Sequence, residues 1–214
     1  MKNKIALRRH LMLKIVLPVL WILFVLYPNP GRLAASVYRL KTPPLAPAKV
    51  TTLALDLQGW DPQEIEQFVY GSIPYRYDWE VYNMPWYFPT LEEALLKGSG
   101  DCKARFILFA SLMEEMGLPY YKNISLTHIW VGYEGKTETS LENREESFFT
   151  IDYSGRNRFS LPRPDFRSSL RSFIRGFWEV MPLDKKLMLL SGYPAIFFIG
   201  YLQQRQVDRF NNKF

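Results

Sequence analysis

The sequence predicts an α+β fold in which one buried helix with a cysteine in its first turn is followed by two strands. Apolar residues at helical spacing run from Ala104 to Met116, a pattern that is typical of a helix buried on most of its surface. Apolar and polar residues then alternate over 127–133 and 148–153, which indicates strands. Apolar residues make up 48% of the chain and aromatic residues 16%, so the composition can supply a core.

The amino-terminal part, residues 1–28, predicts a membrane anchor. An apolar run over 11–27 follows several basic residues and is interrupted only by Lys14 and one proline. Its length is at the short end for a spanning helix, and the long side chain of Lys14 can reach the interface. A cleaved signal peptide is the alternative, with a small-residue site at 33–36, but a proline break precedes that site. The pattern favours an uncleaved anchor.

Residues 29–50 are rich in proline and predict a linker between the anchor and a folded domain over 51–165. Within that domain, Asp61 followed by Pro62 predicts the start of a helix. An extended aromatic segment is expected next, over residues 73–79. A second short helix over 90–97 then leads into a glycine loop.

Cys102 falls in the first turn of the central helix, directly after the loop Gly98-Ser99-Gly100 and the N-cap residue Asp101. The amide dipoles at a helix start favour an anion, so a thiol placed there ionises more easily. Burial as a small apolar residue is the alternative for a lone cysteine. Because the chain has one cysteine, it has no intrachain disulfide that would indicate a compartment.

Each predicted strand carries one unusual residue, His128 in the first and Asp152 in the second. A lone strand histidine is more often structural, but a carboxylate in an apolar strand is costly without a partner. A cysteine hydrolase or acyltransferase needs a thiolate, a base and a group that orients the base. The sequence therefore predicts that Cys102, His128 and Asp152 form a catalytic triad.

Three short motifs resemble the transglutaminase-like superfamily: Gly100-Asp101-Cys102, Thr127-His128-Ile129-Trp130-Val131 and Thr150-Ile151-Asp152. The similarity extends over roughly residues 60–155. It implies a papain-like core with the cysteine helix packed on an antiparallel sheet. It also implies amide hydrolysis or acyl transfer through a thioester, with no metal and no organic cofactor. Lys103 stands where many bacterial members have an acidic residue, which puts a calcium site there in doubt.

Two further expectations concern the surroundings of the triad. An oxyanion hole needs N–H donors, and the Cys102 amide together with the indole of Trp79 or Trp86 are the candidates. The polar segment 134–147 is expected to be solvated and to form a lid or a partner surface. The alternative to an enzyme is a catalytically silent, membrane-tethered binding or scaffold module with the same fold.

The carboxyl-terminal part predicts a basic amphipathic helix at the membrane interface over 166–184, a second membrane segment over 185–204 and a basic tail over 205–214. Packing against the domain is the alternative for the amphipathic helix. The second apolar run is broken by Gly192 and Pro194, so it either spans the membrane or re-enters it.

The net charge of +6 is concentrated at the two ends and on one late helix, which favours an anionic membrane surface over nucleic acid. The expected partners are a protein or peptide substrate, membrane lipid and a membrane protein. Basic residues around the first apolar run place the amino terminus in the cytoplasm, whereas those around the second run indicate the reverse. Because the first span usually dominates, the domain is expected outside the cytoplasm, and the resemblance implies a bacterial inner membrane.

Overall fold

The computed structural model describes residues 15–125, 127–139, 142, 147–152, 156–160 and 166–211. Within these residues the chain is α+β, as the sequence predicts, and four strands form an antiparallel sheet. The basic residues before position 15, the end of the basic tail and the last residue of the predicted strand 148–153 lie outside the described residues.

The helices are α1 (Ile15–Leu26), α2 (Pro30–Lys41), α3 (Thr51–Asp56), α4 (Pro62–Ser72), α5 (Asp78–Tyr82), α6 (Leu91–Lys97), α7 (Cys102–Glu115), α8 (Phe166–Ile174) and α9 (Leu183–Asn211). A 3₁₀ turn covers Pro47–Lys49, and a π-helical turn over Arg175–Glu179 continues α8. The strands are β1 (Tyr121–Ile124), β2 (Ile129–Gly132), β3 (Phe149–Asp152) and β4 (Asn157–Phe159).

The chain divides into two compact units, one formed by Ala34–Val180 and the other by the described parts of Met1–Leu33 and Met181–Phe214. In the second unit, α1 packs on α9. The indole Nε1 of Trp21 donates to the Met188 carbonyl at 3.0 Å, and Lys185 Nζ donates to the Val25 carbonyl at 3.1 Å.

Among the described helices, none is by itself both long and apolar enough to cross a membrane. The helices α1 and α2 meet that requirement of length and composition only as a pair, with a bend of 79° at the break between them. The assignment of residues 1–28 and 185–204 to membrane segments therefore stays a prediction.

The segment 29–50, predicted as a linker, is instead largely folded. It contains α2 and the 3₁₀ turn, and Leu40, Leu45 and Ala46 pack against the core of the first unit. Lys122 Nζ donates to the Leu40 carbonyl at 2.8 Å, which ties the end of α2 to the sheet. Proline suits the first position of a helical turn, and Pro30 and Pro47 each start one, whereas Pro43 and Pro44 lie in the short connection between the two turns.

The central helix α7 forms the middle of the core, as predicted. Ala104, Ile107, Leu108 and Leu112 are fully buried in it, and α7 packs against α4, α6 and β2. The starts of α4 and α6 are also confirmed, because Asp61 and Thr90 each cap a helix and form a capping box. The segment predicted as extended over 73–79 differs, since its end belongs to the short helix α5.

The sheet has the order β2-β1-β3-β4. The sequence pattern missed β1, because the buried positions of this strand are occupied by Lys122 and Asn123 rather than by apolar residues. Asn123 is satisfied by the Thr150 hydroxyl, which donates to its Oδ1 at 3.0 Å. As a consequence, the strands that the sequence predicts around His128 and Asp152 are not neighbours, since β1 lies between them.

Gly100 lies two residues before α7, at a position where the surrounding atoms leave no space for a side chain. Its amide donates to the Pro74 carbonyl at 3.1 Å, and a Cβ built on it would lie 2.5 Å from the Cβ of Ala104. We expect Gly100→Ala to lower the unfolding free energy of the full chain by about 1–3 kcal/mol, because the rigid helix cannot yield. Chemical denaturation followed by tryptophan fluorescence measures the change. The matched control is Ser99→Ala, expected within about 0.5 kcal/mol; equal stabilities of the two variants would contradict the packing described.

Candidate active site

Cys102 is the first residue of α7, and it lies at the edge of a small cleft. Asp101 caps the helix by accepting a hydrogen bond from the Lys103 amide at 2.9 Å. The cysteine is 9% exposed and lines the cleft together with His128, Glu142 and Arg105. The first amides of a helix have no acceptor within it, so the amide dipoles of this turn are directed at the region of the sulphur.

His128 directly precedes β2 rather than lying within it. The connection from β1 is closed by two hydrogen bonds, from the His128 amide to the Ser125 hydroxyl at 3.1 Å and from the Ser125 amide to the His128 carbonyl at 2.9 Å. The imidazole stacks on Trp130 with ring centroids 5.7 Å apart. In this position the imidazole lines the same cleft as Cys102, close enough for the cysteine to raise the pKa of His128.

Glu142 provides the carboxylate that faces the imidazole, with its Oε1 3.0 Å from His128 Nε2. Nε2 is therefore the ring nitrogen that contacts the carboxylate. Burial alone would lower the pKa of His128, but the contacts with Cys102 and Glu142 raise it to about 10. These contacts favour the charged form of the imidazole, which lies between Cys102 and a carboxylate.

The row of charged groups continues beyond Glu142. Lys136 Nζ lies 2.9 Å from Glu142 Oε2 and also pairs with Glu66 of α4. Glu66 in turn accepts hydrogen bonds from the hydroxyls of Tyr133 at 2.7 Å and Tyr70 at 3.0 Å. Burial alone would raise the pKa of Glu142, but His128 and Lys136 lower it to about 2. Each charge in the row is thus compensated by the next.

The prediction that Asp152 orients His128 is wrong in this structure. Ile129, next to His128, is joined through Ile124 to Phe149, whereas Asp152 lies at the other end of β3. The two intervening strand spacings alone separate the residues by about 10 Å. Asp152 instead accepts from Arg156, at 2.8 Å from its amide and 3.1 Å from its Nε.

Glu142 was missed because it lies in the segment 134–147 that was predicted to be solvated. The side chains of Lys136 and Glu142 are only 8% and 12% exposed, so that prediction is wrong for these two residues. Nothing in the local pattern separates Glu142 from the other charged residues around it. Two features of the sequence could have pointed to Glu142: it lies between His128 and the next strand, and its segment contains Lys136, which has the opposite charge.

The two tryptophans proposed for the oxyanion hole have different environments. The Nε1 of Trp79 donates to the Phe177 carbonyl at 2.9 Å and the side chain is 2% exposed, so Trp79 is engaged elsewhere and the prediction is wrong for it. The ring of Trp86 lies over Lys103, with Nζ 5.9 Å from the ring centroid. The role of Trp86 as a donor stays a prediction.

Lys103 is a buried cation at the start of α7. Its Nζ pairs with Asp101 and lies 2.8 Å from Asp78 Oδ2. Burial and the neighbouring Asp101 raise the pKa of Asp78 to about 7, although Lys103 and the Tyr87 amide oppose the rise. Within the part of the chain that the structure describes, no group of three or more His, Cys, Asp or Glu side chains is placed to hold a metal ion.

The cleft beside Cys102 has a volume of about 40 Å³, enough for roughly three water molecules. Aromatic rings and charged groups form its walls, among them Tyr75, Trp130 and Arg105. The cleft therefore has room for a small chemical group only.

Comparisons with protein-family models, with curated proteins and with solved structures find no match to this chain.

The pairing of His128 with Glu142 predicts a defined pH dependence of stability. The pKa of Glu142 falls from an ordinary value of 4.5 to about 2 on folding, so its contribution is present above pH 4.5 and is lost as the pH falls towards 2. The pKa of His128 rises from 6.5 to about 10, so its contribution is complete below pH 6.5 and is lost as the pH rises towards 10. We expect Glu142→Gln to destabilise the chain most between pH 4.5 and pH 6.5, where both contributions are complete, by about 3 kcal/mol.

Denaturation of the full chain at several pH values measures this difference. The matched control is Glu92→Gln, which removes a carboxylate from an exposed pair with Lys49 and should change stability by less than about 1 kcal/mol. A Glu142→Gln difference that is independent of pH would contradict the pairing.

Proposed function

We propose that this protein is a cysteine enzyme with a transglutaminase-like core that cleaves amide bonds or transfers their acyl groups through a thioester on Cys102. The observation that carries the proposal is the row formed by Cys102, His128 and Glu142. Sulphur, imidazole and carboxylate in this order are the groups that nucleophilic catalysis by cysteine requires. The placement of the sulphur at a helix start, beside a cleft, supports the same assignment.

In the first half of the proposed reaction, the thiolate of Cys102 attacks the carbonyl carbon of an amide. A carbon–sulphur bond forms and the carbonyl oxygen becomes an oxyanion, for which the Cys102 amide is the candidate backbone donor. The imidazolium of His128 then gives its proton to the leaving nitrogen, and the carbon–nitrogen bond breaks. Glu142 holds the ring in place and stabilises its charged form.

In the second half, water or an amine attacks the thioester while neutral His128 accepts its proton. The carbon–sulphur bond breaks, and the thiolate and the imidazolium are restored together. Water gives hydrolysis and an amine gives acyl transfer, and the same residues serve both. No metal or organic cofactor takes part in these steps.

The proposal includes attachment to a membrane through the segments 1–28 and 185–204. Support for a lipid surface comes from α8 and the turn that follows it, where Leu170, Phe173, Ile174 and Trp178 are each at least 41% exposed. Arg171 and Arg175 lie exposed on the same helical stretch. An apolar face flanked by cations matches the composition of an anionic lipid surface.

Alkylation of Cys102 tests the enzymatic proposal directly, because the sequence contains no other cysteine. We expect iodoacetamide to react with the full chain near pH 6 at least about tenfold faster than with a free thiol, since the His128 imidazolium stabilises the thiolate. His128→Ala should remove the advantage, and Glu142→Gln should reduce it. The rate of label incorporation measured by mass spectrometry gives all three values.

The matched control for this experiment is Asp152→Asn, which removes a carboxylate that accepts hydrogen bonds from Arg156. Its alkylation rate should equal that of the unmodified chain. If Cys102 reacts no faster than a free thiol and His128→Ala changes nothing, the catalytic proposal fails and a silent membrane-tethered binding module is the better account.

The lipid surface has a separate test. We expect the double variant Phe173→Ser with Trp178→Ser to lower the partition of detergent-released chain onto vesicles of phosphatidylglycerol several-fold, because each ring contributes apolar area at the interface. Leu96→Ser, which removes a side chain that is 86% exposed on α6, is the control and should leave partition unchanged. Equal partition of the double variant and the control would count against α8 as the contact.

A further inference from the structure

Arg105 is a cation fixed in the wall of the cleft, three residues after Cys102 on α7. Its Nε donates to the Ile73 carbonyl at 2.9 Å. Its guanidinium carbon lies 4.6 Å from the ring centroid of Tyr70 and 5.5 Å from that of Tyr75. One hydrogen bond and two rings therefore hold the guanidinium in a single orientation.

The outer nitrogens of Arg105 have no acceptor among the residues that the structure describes. Only its Nε is used within the described chain, which leaves the fork of Nη1 and Nη2 donors for another group. A guanidinium fork matches the two oxygens of a carboxylate. The residue is partly exposed and lines the same cleft as the sulphur, so a ligand can reach both.

The other charges of this region compensate one another. Among the described residues, His128 pairs with Glu142, Glu142 with Lys136, and Lys136 with Glu66. Arg105 has no carboxylate partner within that part of the chain, so it is the charge that remains uncompensated in the wall of the cleft. An uncompensated, half-buried cation favours a ligand of opposite charge.

We propose that Arg105 binds a carboxylate of the substrate, so that the preferred substrates are peptide-like amides with a carboxylate near the scissile bond. This inference rests on the proposed function and names its substrate class. Cys102 and Arg105 lie three residues apart on α7 and line the same cleft, so one substrate molecule can contact both.

Two alkylating reagents that differ in charge test this proposal. Iodoacetate carries a carboxylate and iodoacetamide does not, and each forms a sulphur–carbon bond with Cys102 as iodide leaves. We expect Arg105→Gln to lower the ratio of the iodoacetate rate to the iodoacetamide rate by about tenfold, because one charge-assisted contact is lost. Arg105→Lys, which keeps the charge without the fork, should give an intermediate ratio.

The control is Lys97→Gln, which removes one positive charge from an exposed position on α6 and should leave the ratio unchanged. The iodoacetamide rate of each variant shows whether the site is intact, because that reagent is neutral. If Arg105→Gln does not fold, Arg105→Met, which keeps the aliphatic stem beside the two tyrosines, replaces it.

The outcomes separate the two proposals. In one outcome Cys102 reacts fast with iodoacetamide, but the ratio of the iodoacetate rate to the iodoacetamide rate is the same in Arg105→Gln as in the unmodified chain. This result overturns the carboxylate assignment and leaves the enzymatic proposal standing. A chain whose Cys102 reacts with iodoacetamide no faster than a free thiol overturns both.

The source of the carboxylate is distinguished by protection of Cys102 against iodoacetamide. A short peptide with a free carboxyl terminus tests a terminal carboxylate, and an amidated peptide with one aspartate tests a side chain. Protection by either, lost in Arg105→Gln, supports the proposal and identifies the source. Equal protection by an uncharged amidated peptide, or protection by none of the three, overturns it.

Discussion

The candidate site depends on a row of contacts that begins at Cys102 and continues through the buried charges of His128, Glu142, Lys136 and Glu66. Charges removed from water cost several kcal/mol each unless they are paired and hydrogen-bonded. Here each group faces its neighbour, and the row ends on tyrosine hydroxyls that donate to Glu66. The row joins α7, the start of β2, the polar segment after β2 and α4, so the geometry at the sulphur follows from contacts in four parts of the chain.

A second set of buried charges lies near the same helix start. Lys103 is held between Asp78 and Asp101, and Asp101 also caps α7. The residue before Cys102 and the residue after it are therefore both fixed by ionic contacts. Gly100 adds the close approach to Ala104 that a side chain would prevent. The backbone at the start of α7 therefore fixes the position of the Cys102 sulphur, whereas the position of the imidazole depends on the contacts of His128.

The parts that sequence reasoning predicted correctly are those with a local physical signal. Caps, prolines and helical spacing define α4, α6 and α7 without reference to the rest of the chain. The strand β1 has no such signal, because its polar buried residues are satisfied by partners distant in sequence. The order of the strands in the sheet decides which residues are adjacent. Because β1 is not predicted from the sequence, the strand of Asp152 is expected next to that of His128, although β1 lies between them. Glu142 could not be chosen because its segment has the composition of a solvated loop.

The position of Glu142 has a consequence for how the imidazole is oriented. A carboxylate on an adjacent strand would be fixed by the ladder of backbone hydrogen bonds, whereas Glu142 is fixed by its side-chain contacts with Lys136 and the hydroxyl of Tyr70. Lys136 depends in turn on Glu66 of α4. The orientation of His128 is therefore coupled to α4, a helix whose other face packs into the core. In this arrangement the sulphur of Cys102 belongs to one rigid helix, while the imidazole of His128 is oriented through side chains that α4 holds in place.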